Sequence, residues 1–191
     1  GSGCGALKGY NRMHAIFGAS DKCIAVQPSD MSVALAALDA TVMVSSSKGE
    51  RKIPFTDFHR LPGDIPEKDN NLQPGELITA IHVPVNSFNK NHYLKIRDRA
   101  SYAFALVSVA VALKVNGNII QSARLAMGGV AHKPWRLKQA EEMLTGSAIH
   151  DLSFAKLTDN IMQDAKTYEH NAFKIKLGKA AIAEAINKAL Q

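Results

Sequence analysis

Residues 102–127 read YAFALVSVAVALKVNGNIIQSARLAM, two apolar runs separated by Asn116-Gly117. Asn-Gly between apolar runs is the strongest short-range hairpin signal, because both residues tolerate the positive φ of a tight turn. The pattern predicts strands over residues 105–115 and 118–126, with Gly128-Gly129 ending the sheet. Upstream, residues 93–97 read as a third strand. Pro134 suits a helix start and predicts a helix over 135–144, closed by Gly146. Ser153 predicts the cap of another over 154–165. The Ala-rich segment 172–190 predicts a final helix, weakened at Gly178. Three strands followed by helices make an α+β pattern.

The earlier half is organised differently. Ser29 or Asp30 can cap a helix from Met31 to about Asp39, because either side chain accepts from first-turn N–H groups. Pro28 prevents that helix from extending backwards. Residues 41–45 and 51–53 predict a hairpin around Ser46-Ser47-Lys48-Gly49. The stretch 54–73, with Pro54, Pro62, Gly63 and Pro66, lacks periodicity. A loop of that length is uncommon inside a compact domain and marks a functional or a disordered segment. Pro74-Gly75-Glu76 closes it, and residues 77–83 form a strand that stops at Pro84. The polar segment 86–90 connects two lobes, so the chain divides into 1–85 and 92–191.

Composition narrows the function. A chain of 191 residues with 46% hydrophobic content can bury a real core. Its net charge of +6 comes from scattered Lys and Arg without interleaved aromatics, which predicts no nucleic-acid platform. No apolar run approaches the roughly 20 residues of a membrane span, so no membrane role is expected. The first residues resemble neither a signal nor a transit peptide. Two cysteines outside any CxxC pair fit a reducing compartment, and a cytoplasmic location is expected.

No HxH, HExxH, GxSxG, Walker loop or GxGxxG is present. Asp57, Asp64, Glu67 and Asp69 lie in the Pro-rich loop and read as solvated charges. Cys4 and Cys23 are open to two readings, inert thiols or ligands of an iron–sulfur site, and such clusters usually need four thiolates. Residues 9–40, GYNRMHAIFGASDKCIAVQPSDMSVALAALDA, crowd Asn11, Cys23 and Pro28-Ser29-Asp30 ahead of a helix N-terminus. Unpaired N–H groups and the helix dipole favour anions and polar ligand atoms there. Taken alone, Asp30 reads equally as a helix cap and Lys95 as a solvated strand residue.

An ordered set of short motifs carries a resemblance. It comprises Gly9-Tyr10-Asn11, Ser29-Asp30, Ala37-Leu38-Asp39-Ala40 and Pro74-Gly75-Glu76-Leu77-Ile78-Thr79. Lys95 and Arg97 follow, ahead of Ser101-Tyr102-Ala103-Phe104-Ala105. Met127-Gly128-Gly129-Val130 and Asn171-Ala172-Phe173-Lys174-Ile175 complete it. The set resembles the FAD-binding (medium) subunit of the xanthine dehydrogenase, carbon monoxide dehydrogenase and aldehyde oxidoreductase molybdoenzyme family, nearest the aldehyde oxidoreductase kind. It covers nearly the whole chain.

The resemblance implies a C-terminal fragment lacking the first FAD subdomain. Residues 1–85 would be part of the second FAD-binding subdomain, a helix plus antiparallel strands. Residues 92–191 would be the C-terminal domain, a three-stranded antiparallel sheet packed on helices. Half an FAD site follows from this. Asn11 and Asp30 would hydrogen-bond the ribityl or adenosine part, and Ser29 would cap the helix. Leu61 and Leu72 would cover the isoalloxazine, and Lys95 would approach the flavin from the C-terminal domain. Cys4 and Cys23 match positions where relatives hold an extra 4Fe–4S cluster, whose other ligands would precede Gly1.

The implied function is electron relay from the 2Fe–2S clusters of a small subunit through FAD to an acceptor. The enzyme would be an oxidoreductase whose molybdenum-cofactor large subunit oxidises an aldehyde or heterocycle, so no catalytic acid–base residue is expected in this chain. Co-export with a partner would make the location periplasmic instead. The rival reading is a non-catalytic subunit-interaction module whose helical lobe docks a partner.

Overall fold

A computed structural model describes residues 3–191. The central hairpin forms from β5 (Val107–Asn116) and β6 (Ile119–Gly128). Asn116 pairs with Ile119, so the two-residue loop is Gly117-Asn118, one position later than the Asn-Gly reading places it. Gly117 takes φ 56° there. Strand β4 (Lys90–Ile96) pairs with the other edge of β5.

A short strand, β7 (Trp135–Arg136), pairs with Met127 and Ala126 of β6. The large sheet therefore has four strands, ordered β4-β5-β6-β7, where three were expected. The helix expected from residue 135 begins only at Lys138, as α3 (Lys138–Leu144). Extended backbone lets Trp135 stack on Phe17, centroids 5.2 Å apart and planes within 4°. It also carries Arg136 to its acidic partners. Pro134 has no N–H to give a ladder and is tolerated beside such an edge.

Side-chain size alternates along β5 and decides its two faces. Val107, Val109, Val111 and Leu113 pack with Ile120, Leu125 and Met127 against α3, α4 (Phe154–Met162) and α5 (Phe173–Leu190). On the opposite face stand Ser108, Ala110 and Ala112, small enough for helix α1 (Asp30–Ala37) to lie close. Val33, Ala36 and Ala37 of α1 share a buried cluster with Ala110 and Ala126. The large sheet thus lies between α3–α5 on one face and α1 on the other.

Ser153 caps α4 as expected, its Oγ accepting from the Lys156 N–H, but α4 ends at Met162 rather than 165. Helix α5 runs unbroken through Gly178. A Cβ at Gly178 would stand 2.4 Å from Met162 Cε, the movable end of a flexible side chain, so α4 packs close to α5 there. Packing offsets the ~1 kcal/mol propensity cost of a mid-helix glycine.

The other cluster wall is a smaller three-stranded sheet with its first strand in the middle. It is built from β1 (Thr41–Ser46), β2 (Gly49–Pro54) and β3 (Leu77–His82). Val42, Val44 and Ile53 meet Phe55 and Phe58 of the four-residue helix α2 (Phe55–Phe58) beneath α1. Every residue of β3 is exposed, including Leu77, Ile78 and Ile81.

The 54–73 loop is ordered rather than structureless. His59 bridges Asn70, Arg60 N–H donates to Asp69 O (2.9 Å), and Asn71 N–H donates to Phe58 O (2.9 Å). None of the described helices is long and apolar enough to cross a membrane.

Candidate functional site

Ser29 is the cap of α1. Its backbone is extended (φ −146°, ψ 115°), and its Oγ accepts from the Ser32 N–H at 3.2 Å. That frees the carboxylate of Asp30 to leave the helix. Asp30 Oδ2 accepts from Lys95 Nζ at 2.7 Å, and Oδ1 accepts from the Tyr93 hydroxyl at 3.0 Å. Both donors come from β4, so the two segments expected to be separate lobes meet here.

Asp30 and Lys95, with Pro28, Tyr102, Ala103 and Phe104, line an open groove of about 530 Å³. Tyr102 is 96% exposed and holds φ 48°, uncommon for a bulky residue. The Arg99 guanidinium donates twice to its carbonyl, at 3.2 and 2.5 Å. A carboxylate accepts at about four positions and an ammonium donates three times, so both ends of the ion pair keep unused capacity toward the groove. Polar groups of both signs beside two exposed rings suit a ligand with hydroxyls and a flat apolar part. Burial pushes the Tyr93 phenol well above its usual value, and the Asp30 charge adds to that. The hydroxyl therefore stays a donor at physiological pH.

The remaining expected residues do not converge on this groove. Asn11 is 1% exposed, and its amide is spent on its own chain, Oδ1 accepting from His170 N–H (2.9 Å) and Nδ2 donating to Ala6 O (3.3 Å). Leu72 packs against the α1 cluster. Leu61 lies over Gly18 beside Trp135, where a Cβ on Gly18 would come within 2.6 Å of it. Cys4 and Cys23 are both free thiols. Cys4 neighbours Tyr168, while Cys23 Sγ is 4.0 Å from His132 Nδ1 and accepts from the Ala25 N–H at 3.5 Å. Among the described residues no group of three or more His, Cys, Asp or Glu could hold a metal ion. Two thiols do not make the donor set of a cluster, so the residues present do not fit one by themselves.

Several residues that hold the site carry no sequence spacing to betray them. Lys174 is fully buried, and its ammonium donates to Met13 O (2.9 Å), His14 O (2.9 Å) and Gly129 O (2.6 Å). Asn171 beside it donates to His14 O and Ala15 O. These bonds give the Asn171–Ile175 motif its physical role, pinning the 11–15 turn to α5. Arg12 then forks onto Asp98 at 2.7 and 2.8 Å, reaching the segment that carries Tyr102. For Tyr93, the i, i+2 spacing to Lys95 on one face of a strand was the signal available.

The Glu76 motif is a clamp on the loop that carries Leu72. Glu76 accepts from Arg51 Nε (2.6 Å) and Nη2 (2.7 Å) and from the Gln73 N–H (2.7 Å), while Arg51 also donates to Asn71 O (2.8 Å). The Arg51 bond, chiefly, holds the Glu76 carboxyl down at about 2. A depressed carboxyl contributes stability above its unfolded value, here 4.5, and loses it as pH falls toward about 2. In urea titrations the stability gap between wild type and Glu76→Gln should therefore be widest above pH 5 and shrink toward pH 3. A gap of constant size would show that the clamp's ionisation is irrelevant.

Comparison with known proteins agrees with this architecture. Residues 1–86 match the family described as FAD binding domain in molybdopterin dehydrogenase. Residues 92–189 match the CO dehydrogenase flavoprotein C-terminal domain. The chain is 44% identical over 192 residues to the aldehyde oxidoreductase FAD-binding subunit of Escherichia coli K12, covering 99% of this chain and 57% of that protein. It is 42% identical over 123 residues to the glyceraldehyde dehydrogenase medium chain of Sulfolobus acidocaldarius, covering 64% of this chain and 42% of the relative. The chain thus spans about half the length of these relatives.

Quinoline 2-oxidoreductase from Pseudomonas putida 86 shares the fold, with a TM-score of 0.70 at 24% identity over 94% of this chain and 58% of its own. The family models together match nearly the whole chain, and that decides the assignment. This chain belongs to the FAD-binding flavoprotein subunits of the molybdenum hydroxylase family of oxidoreductases.

Proposed function

We propose that this chain supplies one wall of an FAD site in an electron-relay subunit. Electrons would pass from iron–sulfur centres of a small subunit to FAD and on to an acceptor. A molybdenum-cofactor large subunit would oxidise the substrate. The observation that carries the reading is the Asp30–Lys95 pair at the head of α1, opening on a groove with Tyr102 and Phe104. FAD, when bound, supplies the exchange of electrons between carriers and acceptor, and the protein supplies binding and electrostatics.

Within this chain the roles divide by chemistry. Asp30 accepts from ligand hydroxyls, and Lys95 presents positive charge that favours an electron-rich ring. Ser29 fixes the helix end that carries Asp30. Leu61 and Leu72 serve through the loop the Glu76 clamp holds, and Asn11 serves indirectly by anchoring its turn to the chain before α5. Cys4 and Cys23 would ligate a cluster only with donors from outside these residues.

The test is flavin retention by the purified holoprotein. Asp30→Ala and Lys95→Met should each bind FAD roughly tenfold more weakly, the loss of one hydrogen bond to a charged group. Both should remain folded by circular dichroism. Flavin content equal to wild type in both variants would overturn the assignment of this groove.

A further inference from the structure

Beneath the groove, a line of hydroxyls runs from the core of the sheet to the Asp30 carboxylate. Lys95 of β4 stands directly opposite Ser108 of β5, and Ser108 opposite Gly128 of β6. Tyr93 lies two residues before Lys95 on the same face. Its Oη is 3.0 Å from Ser108 Oγ and 3.0 Å from Asp30 Oδ1. A carboxylate only accepts, so Tyr93 gives its single proton to Asp30 and takes one from Ser108.

Ser108 is 1% exposed and cannot turn to water instead. The space for its hydroxyl exists because residue 128 is glycine. A Cβ there would stand 2.4 Å from Ser108 Oγ and 2.5 Å from Val33 Cγ2.

We propose that Tyr93 is a positioning residue for the cofactor wall, held by Ser108 and aiming the Asp30 carboxylate at the groove. With Oδ1 fixed by Tyr93 and Oδ2 by Lys95, the carboxylate cannot rotate, and its remaining lone pairs face ligand hydroxyls. Without the tyrosine hydroxyl, a half-exposed Asp30 is free to swing onto Lys95 with both oxygens, spending the acceptors and the cation on each other. The inference rests on the reading that the groove holds the hydroxyl-bearing part of a flavin nucleotide.

A double-mutant cycle in the holoprotein tests it, with FAD affinity as the readout and the melting temperature of the flavin-free protein as control. Tyr93→Phe should raise the FAD dissociation constant about tenfold, the scale of a hydrogen bond to a charged group. Ser108→Ala should act in the same direction by a smaller factor. In an Asp30→Ala background neither change should weaken binding further, because the carboxylate they aim is gone.

Equal losses with and without Asp30 would mean that Tyr93 and Ser108 act through packing, which overturns the proposal. Wild-type affinity in Tyr93→Phe would overturn it too. If Tyr93→Phe lowers the melting temperature, the Ser108→Ala arm of the cycle decides. If Asp30→Ala and Lys95→Met both bind FAD as wild type does, the flavin reading of the groove fails, and that result is separate from any result at Tyr93.

Discussion

Lys174→Met is expected to cost the fold about 3 kcal/mol, the upper end of the range for leaving buried hydrogen-bonding groups unsatisfied. Methionine fills much of the same volume, so the loss comes from chemistry rather than from a cavity. Three carbonyls, those of Met13, His14 and Gly129, lose their donor in a place where water cannot replace it. For a chain of this size that is a drop in melting temperature of roughly 10 °C.

Burial, with a smaller contribution from Arg12, brings the Lys174 ammonium down to about 8. The unfolded chain holds its proton to about 10.5, so between those values the unfolded state binds more protons and stability rises with pH. Below about 8 both states are charged and this term is flat. Thermal melts at pH 7 and pH 9.5 would check both points. The variant should melt far below wild type and lack the wild type's rise with pH. A loss under 1 kcal/mol would mean the carbonyls find other donors.

Arg136→Met should be at least as damaging, by about 3–5 kcal/mol. The Arg136 and Glu141 side chains are only 9% and 10% exposed, and the two are joined by both oxygens of the carboxylate. Arg136 also donates to Asp39 Oδ1 (2.6 Å) and to Ala36 O (2.7 Å), closing the end of α1. Asp39 holds φ 53°, a left-handed backbone kept in place by Arg136 and by Arg124 at 2.8 Å. Removing Arg136 therefore leaves a buried carboxylate, a strained turn and an unpaired helix carbonyl together.

Glu141→Gln keeps the acceptor that the Leu125 N–H uses (2.7 Å) while removing the charge. The double variant Arg136→Met/Glu141→Gln should recover a large part of the loss, so that the two changes are far from additive in urea unfolding. Strict additivity would show that Arg136 matters only for its contact with α1.

These two residues show where sequence reading stops. Ser29, Ser153 and the turn before Ile119 announce themselves through local chemistry, and they form nearly where expected. The alternation of Val with Ser and Ala along β5 was present in the sequence as well. It tells a buried face from one that admits a helix at close range.

Arg136 could not be read that way. Asp39 lies far away in the chain, and Pro134 just ahead looks like a helix start. Pairing with β6, together with the pull of Asp39, Glu141 and Phe17, keeps residues 135 and 136 extended. Gly178 misled for a related reason, since helix propensity cannot see Met162 pressed against it. At the groove, the resemblance set Asp30 and Lys95 beside the same flavin, but their direct ion pair was not legible. Tyr93 and Ser108 have no motif of their own and acquire a role only when the strands align.

Strand β3 bears on how the chain behaves in a tube. Among the described residues its outer edge pairs with no strand, Leu77, Ile78 and Ile81 are exposed on it, and Val83 and Val85 continue the apolar surface beyond its end. Free edges with apolar side chains recruit other strands, and here neither Lys nor Pro lies within the strand to discourage it. Colloidal behaviour is thereby separated from folding stability. Association of this chain is therefore expected to rise with its concentration, which light scattering over a dilution series would read.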